Sequence, residues 1–83
     1  MSNQRRKGMT EKQLNTFCAN VRALMAAEGL LQTKLADECG INRSSMSRIL
    51  DGKREPKLEH ALAIAQRFGR KIDDLINESV IKD

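Results

Sequence analysis

The sequence predicts a single all-α domain of five short helices, and three observations carry that expectation. The chain has 83 residues, enough for one modest core and too few for two ordinary domains. Its composition, 40% hydrophobic and 2% aromatic with one Pro and no Trp or Tyr, suits packed helices better than a many-stranded sheet. Apolar residues recur at helical spacing in successive runs, and Gly29, Gly40, Gly52 and Gly69 follow the first four of them.

Residues 1 to 9, MSNQRRKGM, have no periodic apolar pattern and are expected to form a flexible basic tail ahead of a domain spanning 10 to 83. Thr10 and Gln13 have the spacing of a capping box, in which the hydroxyl accepts from a free backbone N–H and the amide does so in return. Leu14, Phe17, Cys18, Val21, Leu24 and Met25 then form the buried stripe of a first helix, which Gly29 closes. A second, short helix is expected over Gln32 to Cys39, with Leu35, Ala36 and Cys39 on one face and Gly40 as its stop. Ile41 follows as a buried plug. Asn42 offers its side-chain oxygen to the start of a third helix, whose inward residues are Met46, Ile49 and Leu50 and whose end is Asp51-Gly52. Beyond the charged loop Lys53-Arg54-Glu55, Pro56 leads into a fourth helix with Leu58, Ala61, Ile64, Ala65 and Phe68 as its core face. Gly69 ends that helix, and Ile72, Leu75 and Ile76 mark a short fifth one.

The formal charge is +4, from 15 Lys and Arg against 11 Asp and Glu, which permits binding to a polyanion without requiring it. Residues 1 to 34 hold six basic and two acidic side chains, residues 35 to 57 five and four, and residues 58 to 83 four and five. The basic excess therefore belongs to the front of the chain. Cys18 and Cys39 lack C-x-x-C spacing and, with His60 as the one histidine, cannot supply a zinc set, so no metal site is expected. They read as free buried thiols of a reducing compartment. His60 is expected on the outer face of the fourth helix. No Ser–His–Asp set or phosphate-cradling glycine loop is present, so neither catalysis nor a cofactor is expected. No run of about 18 apolar residues could span a membrane. Polar sequence rather than an apolar stretch follows Arg5-Arg6-Lys7, and the chain reads as cytoplasmic.

The informative stretch runs from Gln32 to Pro56. Ala36 is small where two helices would cross, Gly40 permits a tight turn, Ile41 fills the gap, and Met46 with Ile49 locks the second helix onto the first. With that face inward, a rotation of about 100° per residue turns Ser44 and Arg48 outward, with Ser47 beside them and Arg43 near the helix start. An arginine can donate two hydrogen bonds to guanine O6 and N7, and a serine can meet base edges or a phosphate. Two arginines and no acid lie between Ile41 and Leu50, so the outward face is expected to be electropositive.

On these residues, positions 30 to 77 resemble the helix-turn-helix domain of the lambdoid-phage Cro and repressor family. The matching elements are Gln32, Leu35-Ala36, Gly40-Ile41, Ser47-Arg48-Ile49, the Gly52-Lys53-Arg54-Glu55-Pro56 loop and Ile64-Ala65. The resemblance implies a five-helix lambda-repressor-like fold that binds a double-stranded DNA operator. It implies base contacts from Arg43, Ser44 and Arg48, with Ser47 as a neighbour and Asn42 capping the recognition helix close to the groove. It also implies phosphate contacts from Gln32, Lys53 and Arg54, and Ser45, more sideways on the wheel, takes a phosphate or structural role. Leu31, Lys57 and Lys71 depart from the family at cap positions, and Asp51 replaces a frequent Asn. Met25 and Leu50 stand where some relatives bury an Arg–Glu pair, and Arg70 stands where an apolar residue is common.

Leu62, Ile72, Ile76, Val80 and Ile81 exceed what the core face needs. They either cover its edge or form a homodimer contact, since short regulators of this kind pair to read half-sites roughly 34 Å apart. The leading expectation is a Cro-like repressor of phage or prophage type, occupying a palindromic operator as a dimer. The chain's end soon after the fifth helix favours this over a full-length repressor. The alternative is an antitoxin that binds a toxin and autoregulates its promoter. A fold relative used only for protein contacts is disfavoured by the donor-rich face. Arg5, Arg6 and Lys7 are either a solvated tail or a minor-groove arm.

Overall fold

The computed structural model describes residues 8–79 and contains α1 (Glu11–Glu28), α2 (Gln32–Cys39), α3 (Arg43–Leu50), α4 (Leu58–Arg67) and α5 (Ile72–Asn77). No strand occurs among the described residues. Local chemistry sets the boundaries. Gln13 N–H donates to Thr10 Oγ1 and Thr10 N–H to Gln13 Oε1, both at 3.0 Å, which completes the expected capping box. One closing motif then ends four helices. At α2, Gly40 adopts φ 68°, and the N–H groups of Gly40 and Ile41 turn back to the carbonyls of Asp37 and Ala36 at 3.3 and 2.9 Å. The same pair of reverse bonds recurs at Gly29, Gly52 and Gly69.

The core draws on every helix: Phe17, Val21 and Met25 from α1, Leu35 and Ala36 from α2, Met46, Ile49 and Leu50 from α3, Ala61, Ile64 and Ala65 from α4, and Leu75 from α5. Ile41 fills the α2–α3 turn at 4% exposure, as expected of a plug. The first helix packs against α5 and α3, while α2 packs against α3 and α4. Met25 and Leu50 are both buried, so the position that holds charges in some relatives is apolar here and carries no desolvation cost.

Leu31, Lys57 and Lys71 place no side-chain cap on α2, α4 and α5, as their departure from the family pattern implies. A missing cap costs about 1 kcal/mol relative to Ser, Thr, Asp or Asn, so packing must hold these helix starts. Arg67, the last residue of α4, instead ties the far ends of the helices together. Its guanidinium pairs with Glu38 of α2 and, at 3.0 Å, with Glu28 at the end of α1, while lying 5.4 Å from the centre of the Phe68 ring.

Leu14 and Leu24 of the expected α1 stripe are half-buried rather than buried, and four further positions differ from the sequence expectation. Leu58 is 72% exposed, because it is the first residue of α4 and lies on the rim, and Pro56 is buried in its place. His60 is half-buried rather than outward, since it lies one helical turn from the fully buried Ile64 on the same side of α4. Met9, assigned from sequence to the tail, packs against the core edge, and its N–H donates to Glu55 Oε2 at 2.8 Å. Cys39 is half-buried rather than buried.

Another feature had no sequence signal. Asn20 lies within the apolar stripe of α1 at 1% exposure, and its Nδ2 donates to the carbonyls of Leu75 and Glu78 at 2.8 and 2.7 Å. Residue Glu78 is extended, so α5 lacks a glycine closure, and the amide supplies donors to its end instead. Asn20→Ala should lower unfolding free energy by about 1–3 kcal/mol, the cost of leaving buried acceptors unpaired. Denaturant unfolding with amide exchange should show the loss concentrated in α5. Uniform acceleration of exchange across all five helices would contradict this local role.

Candidate nucleic-acid interface

Burial of Met46, Ile49 and Leu50, at 0%, 1% and 2% exposure, fixes the rotation of α3. The opposite side carries Ser44 and Arg48, both exposed, with Ser45 and Ser47 half-buried along its flanks, while Arg43 is exposed at the first residue of the helix, seven before Leu50. Asn42 caps the helix as expected, accepting from the N–H groups of Ser44 at 2.8 Å and Ser45 at 3.3 Å. Its side chain is thereby committed to the cap, at an exposed position.

The far end of α3 is held by α1. Cys18 Sγ donates to the Ile49 carbonyl at 2.9 Å, and Arg22 Nε donates to the Leu50 carbonyl at 3.2 Å. Arg22 Nη2 also meets Asp51 Oδ1 at 3.0 Å. An acid at a helix C-terminus opposes the helix dipole, and a cation there favours it, so Arg22 offsets the Asp51 departure. Sequence reasoning missed Arg22. The only available signal was its position one turn after Cys18, on the flank of the stripe that contacts α3. Burial raises the thiol pKa of both Cys18 and Cys39, which keeps them protonated and unreactive near neutral pH.

The electropositive face needs one correction. Asp37, on α2, reaches Arg43 and accepts from Nη2 at 2.8 Å and Nε at 3.3 Å. The acid is six residues away in sequence, outside the stretch that defines α3, but the tight turn folds it alongside. The hydrogen bonds from Arg43 hold the Asp37 carboxyl below the usual carboxylate range, and the same bonds raise the Arg43 pKa. The unbalanced positive charge therefore sits further along. Among the described residues, Arg48 and Lys53 make no ion pair within 4 Å. Arg54 Nη1 donates to Ser45 Oγ at 3.2 Å, which brings two of the phosphate candidates together beside α3. Gln32 is half-buried at the first residue of α2, and Lys53 is exposed in the α3–α4 loop.

The surplus apolar residues separate into groups. Ile72 and Ile76 are half-buried and pack on the core, lining with Met9, Pro56, Leu58 and Ala61 a cavity of about 180 Å³. Leu62 remains 42% exposed on α4. Val80 and Ile81, like Arg5, Arg6 and Lys7, lie outside the described residues. No group of three or more metal-ligating side chains occurs among the described residues, and none of their helices is long and apolar enough to cross a membrane.

Two short helices joined by a glycine–aliphatic turn, the second with one face locked into the core and the other lined with hydrogen-bond donors, define a helix-turn-helix DNA-binding module. The chain belongs to the helix-turn-helix family of Cro and repressor type, whose model matches residues 21–75, and it is a DNA-binding transcriptional regulator. It is 40% identical over 50 residues to an HTH-type transcriptional regulator of Methanocaldococcus jannaschii, covering 60% of this chain and 76% of that protein. It is also similar to the restriction-modification controller protein C.AhdI from Aeromonas hydrophila, with 31% identity and a TM-score of 0.67, covering 75% of this chain and 94% of the other. The SOS-response repressor LexA from Eubacterium rectale shares the fold, with a TM-score of 0.75 and 19% identity over 90% of this chain and 79% of the other.

The Asp37–Arg43 pair has a defined pH signature. A carboxyl whose folded pKa is depressed contributes stability that is present above the unfolded value of about 3.9 and is lost as pH falls through the lower folded value. The pair therefore stays ionised from neutral pH down to the acid range. A carboxyl-carbon NMR titration should place the Asp37 midpoint below the ordinary Asp value, and Arg43→Ala should move it upward. An ordinary midpoint in the unaltered protein would rule out the pair in solution.

Proposed function

We propose that the protein is a sequence-specific repressor that occupies a palindromic operator as a homodimer, with α3 of each copy in the major groove. The exposure of Ser44 and Arg48 on the face opposite Met46, Ile49 and Leu50 is the observation that carries this reading. Arg43, Ser44 and Arg48 read bases, with Ser47 at their side, and Asn42 keeps the helix start intact close to the groove. Gln32, Ser45, Lys53 and Arg54 hold phosphates on either side of α3. Backbone contacts of this kind fix register, and base contacts fix sequence.

Pairing follows from specificity, because one recognition helix makes too few base contacts to discriminate an operator from genomic DNA. Among the described residues Leu62 is the exposed member of the surplus apolar set, which makes it the probe of the pairing surface. C.AhdI is a restriction-modification controller protein, and the match spans 94% of its chain, which supports a regulatory reading of this domain.

Selection from random DNA should yield a two-fold-symmetric motif with half-sites about one helical turn apart. Recovery of no motif would overturn the reading. On the selected site, Arg48→Ala should cost about 1–3 kcal/mol and relax preference at one base pair. Lys53→Ala should instead weaken all DNA alike and reduce the salt slope by about one unit. Equal loss from Arg48→Ala on random DNA would contradict base reading. In sedimentation, Leu62→Glu should shift a dimer toward monomer, and an unchanged dimer would place the pairing surface elsewhere.

A further inference from the structure

We propose that Asp37 is a specificity-determining positioning residue: it holds Arg43 so that one edge of the guanidinium stays open for a guanine, and its own charge weakens binding to all other DNA. The proposal rests on Arg43 as a base reader and deepens that reading. A guanidinium carries five N–H donors, one on Nε and two on each Nη. Asp37 takes the side edge, with Oδ1 accepting from Nε and Oδ2 from Nη2. The end edge, formed by one N–H from each of Nη1 and Nη2, remains open. That edge is the parallel pair that guanine O6 and N7 can accept.

The carboxylate is a firm support. It projects from α2, where Leu35 and Ala36 are completely buried, and the closing turn at Gly40 fixes the distance from α2 to α3. Among the described residues, no other hydrogen bond or ion pair holds Arg43. Asp37 therefore removes rotamer freedom from a long side chain before DNA arrives, which reduces the ordering cost of binding. Its second effect is electrostatic. The carboxylate is 53% exposed beside the recognition helix and would face a polyanion. It repels DNA of every sequence, whereas the two bonds from Arg43 offset that repulsion only where a guanine is present. Discrimination is thus built from an attractive and a repulsive element on adjacent side chains.

The test uses the full chain, its selected site, that site with each base pair replaced in turn, and random DNA. Asp37→Asn keeps the shape and removes the charge, and Asp37→Ala removes both acceptors. Both should bind random DNA a few-fold more tightly, because a negative charge has left the interface. Both should also lose preference at the single base pair that Arg43→Ala relaxes, by roughly five- to tenfold. Preferences elsewhere should stay unchanged. A merely structural role would lower preference at all positions and leave random-DNA binding no tighter, and that outcome overturns the proposal. Preference retained at the Arg43 base pair in both Asp37 variants, while Arg43→Ala removes it, overturns positioning and leaves base reading intact. If Arg43→Ala itself alters no preference, base reading by Arg43 and positioning by Asp37 are overturned together.

Discussion

The rotation of α3 about its own axis is the constraint on which the rest of the molecule depends. Each of Met46, Ile49 and Leu50 contributes roughly 1.5–3 kcal/mol by burial, and a turn of the helix by a single residue position would exchange two of them for a serine and a charged residue, Ser45 with Arg48 or Ser47 with Asp51. That penalty fixes which side chains face out. The ends of α3 are fixed separately, by the Asn42 cap at one end and by donors from Cys18 and Arg22 at the other. The helix is therefore held by its inner face and both ends, and the outer Ser44 and Arg48 are free of structural duties, whereas Arg43 at the helix start meets Asp37 and Ser45 on the flank meets Arg54.

The arginines of the domain are sorted by their partners. Arg22 and Arg67 bridge helices, meeting Asp51 in one case and Glu28 with Glu38 in the other. Exposed pairs of this kind stabilise a fold by only about 0.2–1 kcal/mol each, so their main effect is to settle where charge sits and how elements abut. Arg48 makes no ion pair among the described residues, and Arg54 holds only the Ser45 hydroxyl. Arg43 occupies the middle ground, paired along one edge and open along another. A formal charge of +4 says little about binding until this sorting is known.

Departures from the family pattern are met by compensations elsewhere in the fold. Asp51 would oppose the dipole of α3, and Arg22 arrives from α1 to balance it. The end of α5 lacks a closing glycine, and the Asn20 amide donates to its carbonyls from inside the apolar stripe of α1. The uncapped starts of α2 and α4 are followed within a turn or two by buried residues, Leu35 and Ala61, that anchor them. The first two of these compensations join residues far apart in sequence.

That separation marks the division between what the sequence and the tertiary structure each determined. The five helices, the Thr10–Gln13 capping box, the Asn42 cap, the glycine closures and the inward Met46, Ile49 and Leu50 were legible in the sequence. They depend on helical periodicity and on bonds spanning only a few residues. The outward placement of Ser44 and Arg48 followed from the same periodicity. Periodicity alone misplaced Leu58 and His60, because it specifies a face but not where along a helix the neighbouring elements stop covering it. The sequence likewise could not assign partners to Asn20, Arg22, Asp37 or Arg67. Charged and amide side chains suit solvent, a cap or a bridge equally well, and the choice is made only when packing brings a second group within about 3 Å. The sequence determined the helices and the orientation of the donor face; the tertiary structure decided which donors on and behind that face were already occupied.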